Sequence, residues 1–100
     1  MEQSDLTRAV GKRLREVRNA SSVSQSQTAK FAGISRQGFI RHEIGADITV
    51  ARLAQLLSLY GMDFKEFFRD REIDKELNRL RVKAEVYARS LPDNIKHRSG

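Results

Sequence analysis

Residues 33–45 read GISRQGFIRHEIG, and Arg36, Gln37 and Arg41 stand at helical spacing between the first and last glycines. An arginine fork can donate to O6 and N7 of guanine. A glutamine amide can pair with N6 and N7 of adenine, and each good bidentate pair contributes about 1–3 kcal/mol of discrimination. Ser35 stands where it would cap such a helix, and Ile40, between two arginines, is expected to be exposed and able to meet a thymine methyl. Gly38 would let the helix backbone come close to a groove. On an ordinary surface helix the same side chains would be a solvated charged face. What decides between the two is the set of elements that holds them.

Other chemistries are absent from the chain. Zero cysteines remove disulfides, thiol nucleophiles and thiolate metal sites, and fit a reducing interior. There is no phosphate-cradling glycine loop, no paired acid with a catalytic partner and no metal-spaced cluster. The expectation is therefore no enzyme, no cofactor and no metal. One hundred residues, 39% of them apolar and 32% charged, describe one small folded domain of about four or five helices. No apolar run reaches the ~18–20 residues of a membrane span, and the N-terminus lacks a secretion signal, so the expected place is the cytoplasm and no membrane partner is expected. The net charge is +6. From Leu6 to His42 eight basic residues (Arg8, Lys12, Arg13, Arg15, Arg18, Lys30, Arg36, Arg41) face one acid, Glu16, whereas residues 43–100 are close to balanced. A basic half of this kind suits a polyanion.

Apolar spacings of three and four predict helices throughout. Leu6, Val10, Leu14 and Val17 mark a first helix over 5–20, capped by Ser4 or Asp5. Ser24 caps a second over 25–32 that stops at Gly33. Ser35 caps a third over 36–43, ended by Gly45, and Thr49 caps a fourth over 50–60, ended by Gly61. Asp63 starts a fifth over 64–70 with Phe64, Phe67 and Phe68 as core plugs, and a sixth runs over 72–91 before Pro92. The expected organisation is a body over 1–69, an amphipathic helix within 70–92 and a frayed tail over 93–100. The short second and third helices, joined by a glycine turn, read as a helix-turn-helix: helix two crosses the phosphate backbone, and the start of helix three enters the major groove. Ala29 supplies the small residue at their closest contact.

The stretch from Leu14 to Tyr60 resembles the phage-repressor/Cro (XRE-type) helix-turn-helix family. Leu14, Val17 and Arg18, then Ser24-Gln25, Ala29, Gly33-Ile34-Ser35, Glu43 with Gly45, and Leu53 carry the likeness in register. The resemblance implies an all-α, five-helix lambda-repressor-like domain plus the C-terminal amphipathic helix. It further implies that Ser35, Arg36, Gln37 and Arg41 contact bases and phosphates, and that Gln25 donates to a phosphate and buttresses the first recognition residue. Arg18 and Glu43 are implied to pair inside the domain. Two residues depart from the pattern: Thr28 and His42 stand where leucine-like side chains are usual. The loop 45–48 carries Asp47 instead of a base, so either Lys30, Arg13 and Arg8 supply backbone contacts or affinity comes from dimerisation.

Ile73, Leu77, Leu80, Ala84, Tyr87 and Leu91 are spaced 4, 3, 4, 3, 4, a heptad stripe that needs a partner. Three coverings are open: a second copy, the chain's own Phe31, Phe67 or Phe68, or a different protein. The function expected is a sequence-specific DNA-binding transcription regulator, a homodimer on double-stranded DNA that represses from an inverted repeat. The alternative is an antitoxin or other protein-binding module whose last helix holds a partner protein, with DNA binding as autoregulation.

Overall fold

Every helix begins on a short polar side chain that accepts the otherwise free amide three residues on: Ser4, Ser24, Ser35, Thr49, Asp63 and Asp70. The computed structural model describes residues 4–92, which form α1 (Asp5–Ala20), α2 (Gln25–Ala32), α3 (Arg36–Glu43), α4 (Val50–Tyr60), α5 (Phe64–Phe67) and α6 (Arg71–Ala88). At Ser4 and Ser24 the cap is reciprocal, because Thr7 and Gln27 return a bond to the cap's own amide. Gly33 and Gly61 close α2 and α4 at φ 70° and 68°, the left-handed geometry that a side chain disfavours. The first four helices therefore stand where local chemistry predicts. The fold is all-α, a helix-turn-helix body with a C-terminal helix. The expected frayed tail, 93–100, lies outside the described residues.

Two helices are shorter than expected. Helix α5 stops at Phe67 because Arg13 takes up the Phe67 and Glu66 carbonyls at 3.0 and 3.1 Å, and Asp70 then restarts the chain as the cap of α6. Helix α6 stops at Ala88, and Ser90 turns back onto the Tyr87 carbonyl. Leu91 precedes Pro92, a position where helical backbone is disfavoured, and so drops out of the helical stripe.

The core joins Val10, Leu14 and Val17 of α1 to Ala29, Phe39, Leu53, Leu56, Leu57 and Phe67, with Ile73 of α6 completing it. Of the three phenylalanines expected as plugs, Phe67 is fully buried, Phe68 partly so, and Phe64 sits at the surface stacked on Phe68. Ile73 is likewise fully buried by its own chain, so it is not free for a dimer seam. The core thus draws on both sides of residue 70. Helix α6 lies on α1, where Lys12 meets Glu72 at 2.8 Å and Asp5 meets Arg79 at 3.7 Å, and the rest extends the molecule to 51 × 27 × 21 Å. No helix among the described residues is long and apolar enough to cross a membrane.

Gly11 is a contact that periodicity does not reveal. A Cβ there would come within 2.5 Å of the His42 carbonyl and 2.6 Å of the Glu43 carbonyl. The missing side chain lets α1 pass directly under the end of α3. Thr28 is explained by Tyr60: the two hydroxyls lie 3.0 Å apart in the core, so the polar atom that replaces a leucine methyl is bonded.

Candidate nucleic-acid interface

Helices α2 and α3 are set against each other by small and left-handed residues. Ala29 is buried where they pack, and the Ile34 amide returns to the Ala29 carbonyl at 3.0 Å, wrapping the chain around Gly33. Helix α3 then has two unlike faces. Phe39 and Glu43 are buried, while Ser35, Arg36, Gln37 and Arg41 are exposed on the opposite side and at the N-terminal end. Gly38 and Ile40 are half-buried. For Ile40 this corrects the expectation of full exposure: α3 is short and closely packed, so its flank is shaded by the body. Ser35 is occupied as a cap, its hydroxyl accepting from the Gly38 amide at 3.0 Å. A Cβ on Gly38 would sit 3.2 Å from that hydroxyl, so the glycine also keeps the cap uncrowded.

Of the exposed donors, Arg36 is anchored to the core by a chain of bonds. Arg36 Nη2 donates to Gln25 Oε1 at 3.2 Å, and Gln25 Nε2 donates to Glu43 Oε1 at 3.0 Å. Glu43 in turn is gripped by Arg18, whose Nε reaches Oε2 at 2.6 Å and whose Nη2 reaches Oε1 at 3.3 Å. The side chains of this ion pair are only 10% and 2% exposed, and Arg18 also holds the Val23 carbonyl at 3.0 Å. Three elements, the end of α1, the start of α2 and the end of α3, are thereby tied at one point beneath Arg36. The pairing of Arg18 with Glu43 implied by the resemblance is present, and Gln25 lies between it and the open face.

The basic half of the sequence divides on inspection of partners. Arg18 is buried, Lys12 is paired with Glu72, and Arg8 is paired with Asp5. Arg13 closes the end of α5 and lies over the Phe67 ring, 5.8 Å from its centroid. Within the chain, Arg8 is thus engaged on α1 and Arg13 on the end of α5. Among the described residues, Arg15, Lys30, Arg36 and Arg41 have no carboxylate partner, and all four are exposed. Of these four, Lys30 stands on α2 and Arg36 and Arg41 on α3; Lys65, Arg69, Arg71, Lys75, Arg81, Lys83 and Arg89, towards the other end of the chain, are also exposed and have no carboxylate partner among the described residues.

Behind α3, the loop 44–49 is held by the Ala46 amide on the Arg41 carbonyl at 2.9 Å. His42 faces this loop, half-buried, and its Nδ1 is buried without a hydrogen-bond partner. Burial lowers its pKa below the usual 6.5. The backbone of Ala46 opposes this, the positive charge of Arg52 reinforces it, and the backbone of Asp47 and the charge of Arg41 make smaller contributions of opposite sign to each other. Arg52, which the sequence did not single out, donates to the Ala32 carbonyl at 2.6 Å and so caps α2 from α4. Of the stripe on α6, Ile73 is in the core, Leu77, Leu80, Ala84 and Tyr87 are exposed, and Leu91 lies beyond the helix. The stripe is not folded over Phe31, which is itself 51% exposed.

A family model described as a helix-turn-helix domain matches residues 9–66. No curated protein sequence matches the chain. Among solved structures, the fold is similar to that of the clp gene regulator ClgR from C. glutamicum, with a TM-score of 0.61 and 21% identity over 66% of this chain and 86% of that one. At that identity the likeness is one of fold.

Proposed function

The chain belongs to the helix-turn-helix domain family, and from that premise we propose that it is a sequence-specific DNA-binding transcription regulator of the phage-repressor/Cro type. The observation that carries this reading is the two-faced α3. Its inner face is locked by Phe39 and Glu43, and its outer face offers Arg36, Gln37 and Arg41 together. Arg36 is pre-positioned by Gln25, so little rotamer freedom remains to be lost on meeting a base edge. Lys30 and the amides at the start of α2 supply phosphate contacts, and Arg36 and Arg41 read the major groove. Gly38 keeps the reading face low, and Ile40 offers an apolar edge to a thymine methyl.

One such helix reads only a few base pairs. Two copies, each on a half-site ~34–36 Å apart on one face of the duplex, give the specificity of an inverted repeat. Bound there, the protein acts as a cytoplasmic, non-enzymatic repressor by occupying a promoter. The reading is supported in kind by the structural likeness to a clp gene regulator. The test is a fluorescence-anisotropy titration of a duplex taken from upstream of the protein's own gene, beside a scrambled duplex, at two salt concentrations. Preference by more than about 10³-fold, the lower end of usual specificity ratios, with steep salt dependence, is the expected result. Equal, weak binding to both duplexes that salt abolishes would reduce the open cations to a general electrostatic surface.

A further inference from the structure

The face of α6 turned away from Ile73 pairs exposed cations with exposed valines. We propose that it docks an acidic segment of another protein, whose carboxylates meet Lys75 and Lys83 and whose aliphatic side chain rests on Val82.

Arg71, Lys75, Arg79 and Lys83 recur every four residues along α6. Val82 and Val86 stand among them, about half a turn from the Ile73–Leu77–Leu80 stripe. All six are exposed, Val82 by 53% and Val86 by 56%. With Asp74 and Asn78, the four cations and Val82 line an open hollow whose surface is mostly apolar. Long cationic side chains lay their aliphatic stems along such a surface and keep their charged heads in solvent. Arg79 is shared with Asp5 at 3.7 Å and Glu76 at 3.5 Å. Arg71, Lys75 and Lys83 have no carboxylate partner among the described residues.

An occupant has to answer both the charge and the apolar floor. A nucleic-acid backbone would meet the cations but set phosphates against the floor. A lipid surface takes a helix whose cations flank its apolar stripe, and here these cations lie on the other side. A protein segment that carries carboxylates around an aliphatic side chain answers both. Lys75 and Lys83 are about 12 Å apart along the helix, the span of about four residues of extended chain. The hollow lies on α6, which packs on α1, and shares no residue with the outer face of α3.

Docking here is independent of DNA reading, and its first test contains no DNA. The probe is a short fluorescein-labelled peptide with glutamate at every fourth position and leucine midway between, added to the full chain and followed by anisotropy. Saturable binding to the wild-type chain is expected. Lys75→Glu combined with Lys83→Glu should weaken it by about tenfold or more, and Val82→Ser by about fivefold. Exchanging the peptide's leucines for serine should cost as much as Val82→Ser, and nothing further on that variant. Arg36→Glu combined with Arg41→Glu should leave peptide binding unchanged. Thermal unfolding of the α6 variants should match wild type, since the altered side chains are exposed. A peptide that fails to bind overturns the proposal. So does one whose binding ignores its leucines or follows Arg36 and Arg41, which is general attraction to a basic chain. Two other occupants are told apart by two further measurements. Weaker duplex binding by the Lys75→Glu, Lys83→Glu chain would make the face a phosphate track. Altered sedimentation of that chain or of Val82→Ser, with no peptide present, would give the face to a second copy. Either result overturns the proposal as well.

Discussion

Helix α3 has eight residues and buries Phe39 and Glu43; helix α6 has eighteen and buries Ile73 alone. The shorter helix is nevertheless the more firmly held. Helix α3 is short for an independent helix, since isolated helices below ~12–15 residues are marginal in water. It depends on the Arg18–Glu43–Gln25 bonds at one end, the Ser35 cap at the other and Phe39 between. Helix α6 has length, an Asp70 cap and i,i+3 bonds such as Arg81 to Asn78 at 2.8 Å, and meets α1 through Glu72 and, midway along, Arg79. The difference teaches where positional accuracy resides. A surface meant to read needs every supporting polar group answered inside the body. The exposed stripe of α6 has no such support from the body.

The largest effect expected is at the junction below α3. Arg18→Ala leaves the Glu43 carboxylate buried without its cation, and removing one partner of a buried pair destabilises by about 3–5 kcal/mol. Thermal or urea unfolding measures it directly. Arg81→Ala, an equivalent truncation on exposed α6, is expected to stay within about 0.5 kcal/mol. Equal losses at the two sites would erase the contrast between a tied body and an open helix.

A smaller effect tests whether the core answers its own polar atoms. Thr28→Val removes one of two bonded hydroxyls and strands that of Tyr60, which is expected to destabilise by about 1–3 kcal/mol. Adding Tyr60→Phe removes the stranded group as well and should return most of the loss. A double variant no better than the single one would mean that the pair contributes packing only.

Comparable in size but different in kind is Arg36→Ala. Here about 1–3 kcal/mol is expected to vanish from specific DNA affinity, with folding stability within about 0.5 kcal/mol of wild type. Gln25→Ala should lower the same affinity through the lost support of Arg36, and its effect should shrink when Arg36 is already alanine. Independent effects would sever the proposed connection from the Arg18–Glu43 pair to the reading face.

Helix positions were readable where the signal is local. Ser24, Ser35 and Thr49 bond amides three residues away, and Gly33 and Gly61 supply left-handed turns, so the bounds of α2, α3 and α4 follow from neighbouring residues alone. Helix α6 ends early on local signals, Ser90 and Pro92, that apolar spacing alone overruns. The end of α5 was not so readable, because Arg13 takes up its last carbonyls from 54 residues away along the chain. The same distance hides the meaning of Thr28, whose partner is 32 residues on, and of Arg52, which caps α2 across 20. A lone glycine inside the apolar stripe of α1 was a visible irregularity, but only the fold reveals that Gly11 clears the backbone of His42 and Glu43. On α3 the exposed donors were legible by face. The sharing of Gln25 between Arg36 and Glu43 required three elements to meet.

His42 is expected to give the smallest effect and the finest test of how dry the underside of α3 is. Its folded pKa is depressed, chiefly by burial, relative to an ordinary value of 6.5. Above that value the imidazole is neutral in both states and adds no pH dependence. As the pH falls through 6.5 the unfolded chain takes up the proton first, so the folded state loses stability until its own lower pKa is passed. His42→Leu should therefore flatten the decline in stability between pH 6.5 and about 5, above the range where carboxylates titrate. It should also relieve the unpartnered Nδ1 at neutral pH. Melting temperatures across that interval read both effects. An unchanged slope would mean that water reaches the imidazole, and the underside of the reading helix would then be no drier than the flank of α6.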